Sequence, residues 1–443
     1  MTVEVADASD HVFEVTTSWV NISGFTMTGA MAKWCGAGIR LSNANHCYIS
    51  DNNASNNDYN GIYLEDSSNN TLTNNTANSN NWYGINIDHS SENTLQGDTA
   101  SNNYWGISLW RSTNNTLTNN TMSRNTYNFG VWGFSLSEYA QNIDTSNMVD
   151  GKPIYYWVDQ QSRQIPDDAG FVGAINSTNI TVRDVVLTNN VQGVLFAYSD
   201  NSLIENVSVS NNGYGIDLHD STNNMLTGNT ASDNDRGVCL WESTNNMLQS
   251  NNANSNIYDG IHMGESTNNT LQNNNANSNN YGIRLLSSSN NRLTNNTASN
   301  NDFGVYLYYL SNNTLYHNNL LNNTNRNAYD DGANAWDSGS AGNYYSDYNG
   351  IGNDPYPIPG GTSVDRYPLM RPWTGDTSLK GDLNHDGTLT SADVLIALAF
   401  AAGGGSASCD AATLATADVN RDKRVTSLDA LMILQAAADA IEL

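Results

Sequence analysis

The sequence predicts an all-β fold, a parallel β-helix solenoid of stacked coils, followed by a small α-helical domain. Three observations predict it. A Gly-aliphatic-x-aliphatic tetrad recurs every 22 or 23 residues, beginning at Gly61, Gly84, Gly106, Gly215, Gly237, Gly260, Gly282 and Gly304. An Asn-x-Leu landmark keeps the same period, ending at Leu72, Leu95, Leu117, Leu203, Leu226, Leu248, Leu271, Leu293 and Leu315. From Gly381 the text changes to two acidic loops, each running into an Ala-rich, helix-forming stretch.

Within each tetrad the aliphatic pair alternates with the variable residue x, so the aliphatics face one way and x the other. That is the period of a strand. A leucine-rich repeat has a similar length but needs more leucines and usually a helical segment, whereas these repeats are filled with Asn, Ser and Thr. Such residues are poor in helix interiors and good in turns. Each repeat therefore reads as one coil of short strands, and coils stacked about 4.8 Å apart bury a thin continuous core. Asn-Asn pairs such as Asn69-Asn70, Asn114-Asn115 and Asn268-Asn269 recur at one corner, where Asn tolerates a left-handed backbone and can stack amide on amide.

The period breaks between about Tyr127 and Ile180, where a Gly151-Lys152-Pro153 turn and aromatics predict a hairpin and loop packed on one flank. Prolines and tyrosines from Gly342 to Trp373 read as a cap. The expected organisation is a β-helix over 1–373, with an insertion at about 127–180 and a cap at about 342–373, then a linker over 374–380 and a second domain over 381–443. The opening strands lie in mid-pattern, so further coils and a signal segment are expected upstream of Met1.

Seventeen basic against 44 acidic residues give a formal net charge of −27. That balance argues against nucleic acid and anionic lipid as partners and suits neutral sugars or cations. No apolar run approaches the roughly 20 residues of a membrane span. Cys35, Cys47, Cys239 and Cys409 form no CxxC pair, so they indicate neither a zinc site nor a disulfide framework. Asn-x-Ser/Thr sequons are frequent, as at Asn21, Asn53 and Asn206; an Asn- and Thr-rich ladder creates them by accident, and only secretion would make them glycan sites.

The most specific motif is the run Asp382 to Asp393. It offers oxygen ligands at loop positions 1, 3, 5 and 12 through Asp382, Asn384, Asp386 and Asp393, with Gly387 at position 6 and the carbonyl of Thr388 at position 7. Thirty-six residues on, Asp418, Asn420, Asp422, the carbonyl of Arg424 and Asp429 repeat it. Hard cations take six to eight such oxygens, so two Ca²⁺ sites are expected, the second weaker because Lys423 replaces the glycine. Position 12 is Asp and no helix precedes Asp382, which disfavours a calmodulin-like switch. This duplicated loop-helix resembles a type I dockerin. The resemblance implies calcium-dependent folding and docking to a cohesin-bearing partner, with Ser391, Ala392, Ser427 and Leu428 facing it.

Function on the solenoid is expected at residue x and the residue two beyond it, which should face solvent. Tyr63, Trp110, Asp217, His219, Trp241, His262, Tyr306 and Tyr308 occupy such places, and their rings and polar groups suit sugar rings and hydroxyls. Hydrolysis needs two carboxyls about one bond, for which Asp217 with Asp220 or Glu242 are the candidates. No Gly-His-Gly or Arg-Ile-Lys text of the polygalacturonase kind is present. Phe25 to Gly36, the Gly151 to Gly170 stretch, the coils and the Gly342 to Trp373 ending together resemble the NosD-type, PbH1-repeat right-handed β-helices of archaeal surface proteins. That resemblance implies copper delivery, for which Asp217, Cys239, His262 and His219 supply ligand types. The leading expectation is an extracellular or cell-surface protein, structural or carbohydrate-binding, anchored by its dockerin. The alternatives are a polysaccharide lyase or glycoside hydrolase in a cellulosome-like assembly, and a copper-binding protein.

Overall fold

The computed structural model describes residues 1–5, 10–31, 36–309, 311–350, 354–374, 380–383, 389–402, 416–422 and 424–438. Cys35, Cys409, Asn384, Asp386, Gly387, Thr388 and Lys423 lie outside them. Two compact units result, Met1–Arg371 and Pro372–Leu443. The first is a right-handed parallel β-solenoid of about 15 turns.

Each tetrad lies in a six-residue strand, and the strands pair in parallel at constant register: Ile62 with Ile85, Ile85 with Ile107, Ile107 with Phe129. Their aliphatics are fully buried, as are Leu72, Leu95 and Leu117 of the next face. One landmark is out of step. Ile204, not Leu203, aligns with Leu226, so Leu203 sits beside Met225 and is only half-buried.

The Asn-Asn corners divide their labour. The first member turns the chain with positive φ, 59° at Asn69 and 57° at Asn114. Its successor points inward: the Asn93 side-chain oxygen accepts from the Asn70 backbone N–H at 2.8 Å, and Asn115 serves Asn93 in the same way at 2.9 Å. These amides satisfy backbone groups that turn inward at a corner, which an apolar side chain would leave unpaired.

The period break does not sit on one flank of a continuous helix; it divides the solenoid into two stacks with separate cores. After Tyr127–Trp132 the chain makes one helical turn, then an antiparallel pairing of Met148–Val149 with Lys152–Val158, and Lys152–Val158 opens the second stack by pairing in parallel with Phe171–Ile175. The outer face of that stack's first coils supplies Phe171, Ile175, Leu195 and Ala197 to the core of the first stack. Phe129 and Phe171 meet edge to face with ring centres 5.0 Å apart. Val191 N–H donates to the Phe129 carbonyl at 2.9 Å, so the open sheet end of the first stack is paired rather than exposed. At the far end Trp336 and Tyr345 close the core, with the Trp336 indole donating to Asp330 at 2.9 Å and Tyr345 to Asp365 at 3.1 Å.

In the second unit, helices Ser391–Ala402 and Ser427–Ala437 pack around Leu383, Ala397, Val419, Val425, Ala430 and Ile433. No helix among the described residues is long and apolar enough to cross a membrane.

Candidate functional site

Where the two stacks meet, their six-residue strands bound a cleft of about 680 Å³. Register builds its aromatic wall. Tyr83, Trp105 and Tyr127 stand directly across from one another on successive coils, with ring centres 5.5 Å apart at each step. At the other end of these strands Asp88, Trp110 and Trp132 form a second column. Tyr214 enters from the second stack, its ring 5.0 Å from that of Trp132. Two carboxylates line the cleft, each held by a tyrosine: Tyr63 donates to Asp88 at 3.2 Å, and Tyr127 to Asp235 at 2.9 Å. Partial burial raises the Asp235 carboxyl above its ordinary value, although the Tyr127 hydrogen bond and Arg236 pull the other way. Burial likewise lifts the Tyr83 phenol to about 12, so it stays a donor at any ordinary pH.

Of the expected sugar-contacting residues, Tyr63 and Trp110 line this cleft. Asn86 and Asp88, an x residue and the residue two beyond it, line it as expected. Tyr59, Tyr83, Trp105 and Trp132 line it too, with Asp235, and were missed. The signal was present: an aromatic directly precedes the tetrad glycine at Tyr83, Trp105 and Tyr214. Tyr306 and Tyr308 lie elsewhere, stacked near the end of the second stack, where Tyr306 faces Tyr329 at 4.6 Å.

The row of x residues is a correction to the expectation of a solvent face. Asp217, Cys239, His262 and Arg284 do stand in register on successive coils. Yet Asp217 and Cys239 have 0% of their surface exposed and His262 has 1%. Larger neighbours fold over them: the Trp241 ring lies 4.7 Å from that of His262, Arg236 covers Tyr214, and Arg284 covers Tyr281. Beneath, the Asp259 carboxylate lies 3.1 Å from Arg236 and 3.7 Å from Arg284. Burial and these two guanidiniums hold the His262 imidazole down at about 3, so it is neutral. His219 lies 3.2 Å from Asp217; burial lowers its pKa, but the Asp217, Asp220 and Glu242 carboxylates together outweigh burial and the net shift is upward. Asp220 and Glu242 sit on positive-φ corners of successive coils, at 45° and 47°, stacked along one edge rather than facing across a cleft.

In the second unit Asp393 and Asp429 are buried and play the same local part. Each accepts from the backbone N–H three residues before it, Thr390 and Thr426, at 2.8 Å, at the start of the helix its loop leads into. Asp418 and Asn420 both accept from Asp422 N–H, at 3.0 and 2.9 Å, which draws the second loop's oxygens inward. This all-oxygen donor set fits a hard cation. Ser391, Ala392, Ser427 and Leu428 are exposed or half-exposed, and Leu395, Leu398, Leu431 and Leu434 extend the same apolar surface at positions duplicated with the loops.

Residues 4–149 and 141–350 match the family described as periplasmic copper-binding protein (NosD), and residues 380–436 match the dockerin type I domain. No curated protein matches the chain. Solved structures with similarity include the A-module of mannuronan C-5 epimerase AlgE6 of Azotobacter vinelandii, at 12% identity and TM-score 0.35, covering 69% of this chain and 90% of that one. The periplasmic alginate epimerase AlgG has 14% identity, TM-score 0.32 and coverage of 72% and 82%. Alginate lyase AlyF-OU02 has 11% identity, TM-score 0.28 and coverage of 73% and 79%.

The residues at the x row do not fit copper. Arg236 and Arg284 place positive charge beside His262, and burial raises the Cys239 thiol well above its ordinary value, against the thiolate a metal needs. Among the described residues no three His, Cys, Asp or Glu side chains converge as a metal-binding group. The repeat text, the right-handed parallel coils and the match across residues 4–350 place the chain in the NosD family, carrying a type I dockerin domain of the kind that generally binds calcium and docks to a cohesin.

Proposed function

We propose that this protein is an extracellular or cell-surface glycan-binding β-helix, tethered through its dockerin to a cohesin-bearing partner. The observation that carries the reading is the inter-stack cleft, whose aromatic wall, built of rings tilted or edge-to-face to one another, offers apolar surface to pyranose rings while Asp88, Asp235 and Asn86 offer acceptors to hydroxyls. Two Ca²⁺ ions order the tether. Asp382, Asn384, Asp386, the Thr388 carbonyl and Asp393 hold one; Asp418, Asn420, Asp422, the Arg424 carbonyl and Asp429 hold the other. Ser391, Ala392, Ser427 and Leu428, with the exposed leucines beside them, meet the cohesin.

Binding is favoured over hydrolysis by the placement of the carboxyls. Asp88 closes the strand that Tyr83 opens, so its column stands on the order of 16 Å from the Tyr83, Trp105 and Tyr127 column. Asp235 is held at the Tyr127 hydroxyl, whereas hydrolysis of a glycosidic bond needs two carboxyls roughly 5 to 9.5 Å apart. The test is a glycan array with the full chain, paired with an assay for reducing-end and unsaturated products. Binding that is lost in Trp105→Ala, without product release, is the expected result. No binding to any glycan overturns the reading, and sustained product release replaces it with the hydrolase or lyase.

A further inference from the structure

The cleft sets which glycans enter it. This inference rests on the glycan-binding reading above and deepens it. Its two charged lining residues, Asp88 and Asp235, are both acidic. The arginines that border it are already engaged: Arg236, beside Asp235, lies 3.1 Å from both the Asp259 carboxylate and the Tyr214 hydroxyl, Arg111 stacks on the Phe134 ring at 4.3 Å, and Arg40, in register with Tyr63, is paired with Glu14 and Glu65. None of them lines the cleft.

We infer that the cleft takes a neutral oligosaccharide and excludes polyuronates. A uronate carboxylate seated on the aromatic wall would meet two carboxylates and no lining cation, in a partly desolvated space where like charges repel more strongly than in bulk water. The chain's net charge of −27 adds repulsion at longer range. Asp88 and Asp235 are positioned for hydroxyls instead. Tyr63 donates to Oδ2 of Asp88, whose Oδ1 lies 2.6 Å from the exposed His89 ring, and Tyr127 donates to Oδ2 of Asp235; these contacts orient both carboxylates and fix where their remaining lone pairs accept from a sugar hydroxyl.

The test is calorimetric titration of the full chain with neutral hexasaccharides of glucose, mannose and xylose, and with hexaguluronate and hexagalacturonate, at low and high salt. At least one neutral hexasaccharide should bind at least about ten-fold tighter than either uronate at low salt, the gap narrowing as salt screens the repulsion. Asp88→Asn and Asp235→Asn, which keep the side-chain size, should weaken the neutral ligand and strengthen the uronates. Uronate binding equal to or tighter than neutral binding overturns this inference and leaves the glycan-binding reading standing. A chain that binds none of the panel or any arrayed glycan overturns both.

Discussion

Tyr127 and Asp235 are 108 residues apart in the chain and hydrogen-bonded at 2.9 Å, the phenol on the last regular strand of the first stack and the carboxylate at a corner of the second. The bond ties the two stacks together at the wall of the cleft. Tyr127→Phe removes the donor and leaves the half-buried carboxylate with one partner fewer, which should cost about 1 to 3 kcal/mol. The expected result is a lower Tm and weaker glycan binding, both read on the same sample. An unchanged Tm would show that the joint is held by the Phe129, Phe171 and Leu195 packing alone.

Asp98 occupies a place that Asn fills in the neighbouring coils. In that ladder the side-chain oxygen of Asn75 serves Asn52, that of Asp98 serves Asn75 at 2.7 Å, and that of Asn120 serves Asp98. Asn75 and Asn120 also donate through Nδ2 to carbonyls of an earlier coil, whereas Asp98 Oδ2 has no partner. Burial pushes this carboxyl up to about 7, against partial relief from Asn75. The folded value lies above the unfolded one, so the group's contribution to stability is full below about pH 4 and is lost as pH rises through about 7. Asp98→Asn should therefore gain stability over the natural chain progressively from pH 4 to 8, by an upper limit on the order of 4 kcal/mol. Thermal melts of the two proteins across that range measure it; parallel pH profiles would refute it.

The coils were legible because a period of two maps directly onto burial: Ile62 and Leu64 alternate with Tyr63 in the text and in space. The dockerin was legible for the same reason, its duplicated loop-helix text being local. Two things were not. Alternation says which way Asp217 and His262 point but not that Trp241 and Arg236 fold over them, since cover is supplied by neighbours on other coils. The joint at Tyr127 to Ile180 reads as an insertion because nothing local encodes that Leu195 and Ala197, at outward positions, will meet the open core beneath Phe129. Hence the cleft, made by residues as distant as Tyr59 and Asp235, was not foreseen.

The glycine that opens each tetrad marks a close approach between coils. At Gly237 a Cβ would lie 2.5 Å from the Gly260 carbonyl oxygen and 2.9 Å from that of Ala231. Both are backbone atoms fixed by sheet pairing, so neither can yield cheaply. Gly237→Ala should destabilise the second stack by about 1 to 3 kcal/mol and lower its Tm. Gly228, at φ 64° with open space around the Cβ position, is the control for conformation without crowding. A Gly237→Ala protein that melts with the natural one would show that coil spacing is looser than these contacts require.

Calcium should order the second unit. Asp393 and Asp429 start their helices by accepting from Thr390 and Thr426, and the same carboxylates stand at position 12 of their loops, so an ion and a helix N-terminus share one ligand. Chelation should remove part of the far-UV helical signal, and calorimetric titration of the full chain should resolve two unequal sites, the weaker belonging to the loop with Lys423. Lys423→Gly should bring the second affinity toward the first, by supplying a residue that enters positive φ without a Cβ penalty. The double substitution Asp382→Ala with Asp393→Ala should abolish the first binding event and leave the second. Heat unchanged in that variant would remove these residues from the calcium site, since that loop would have lost both its first and its last carboxylate.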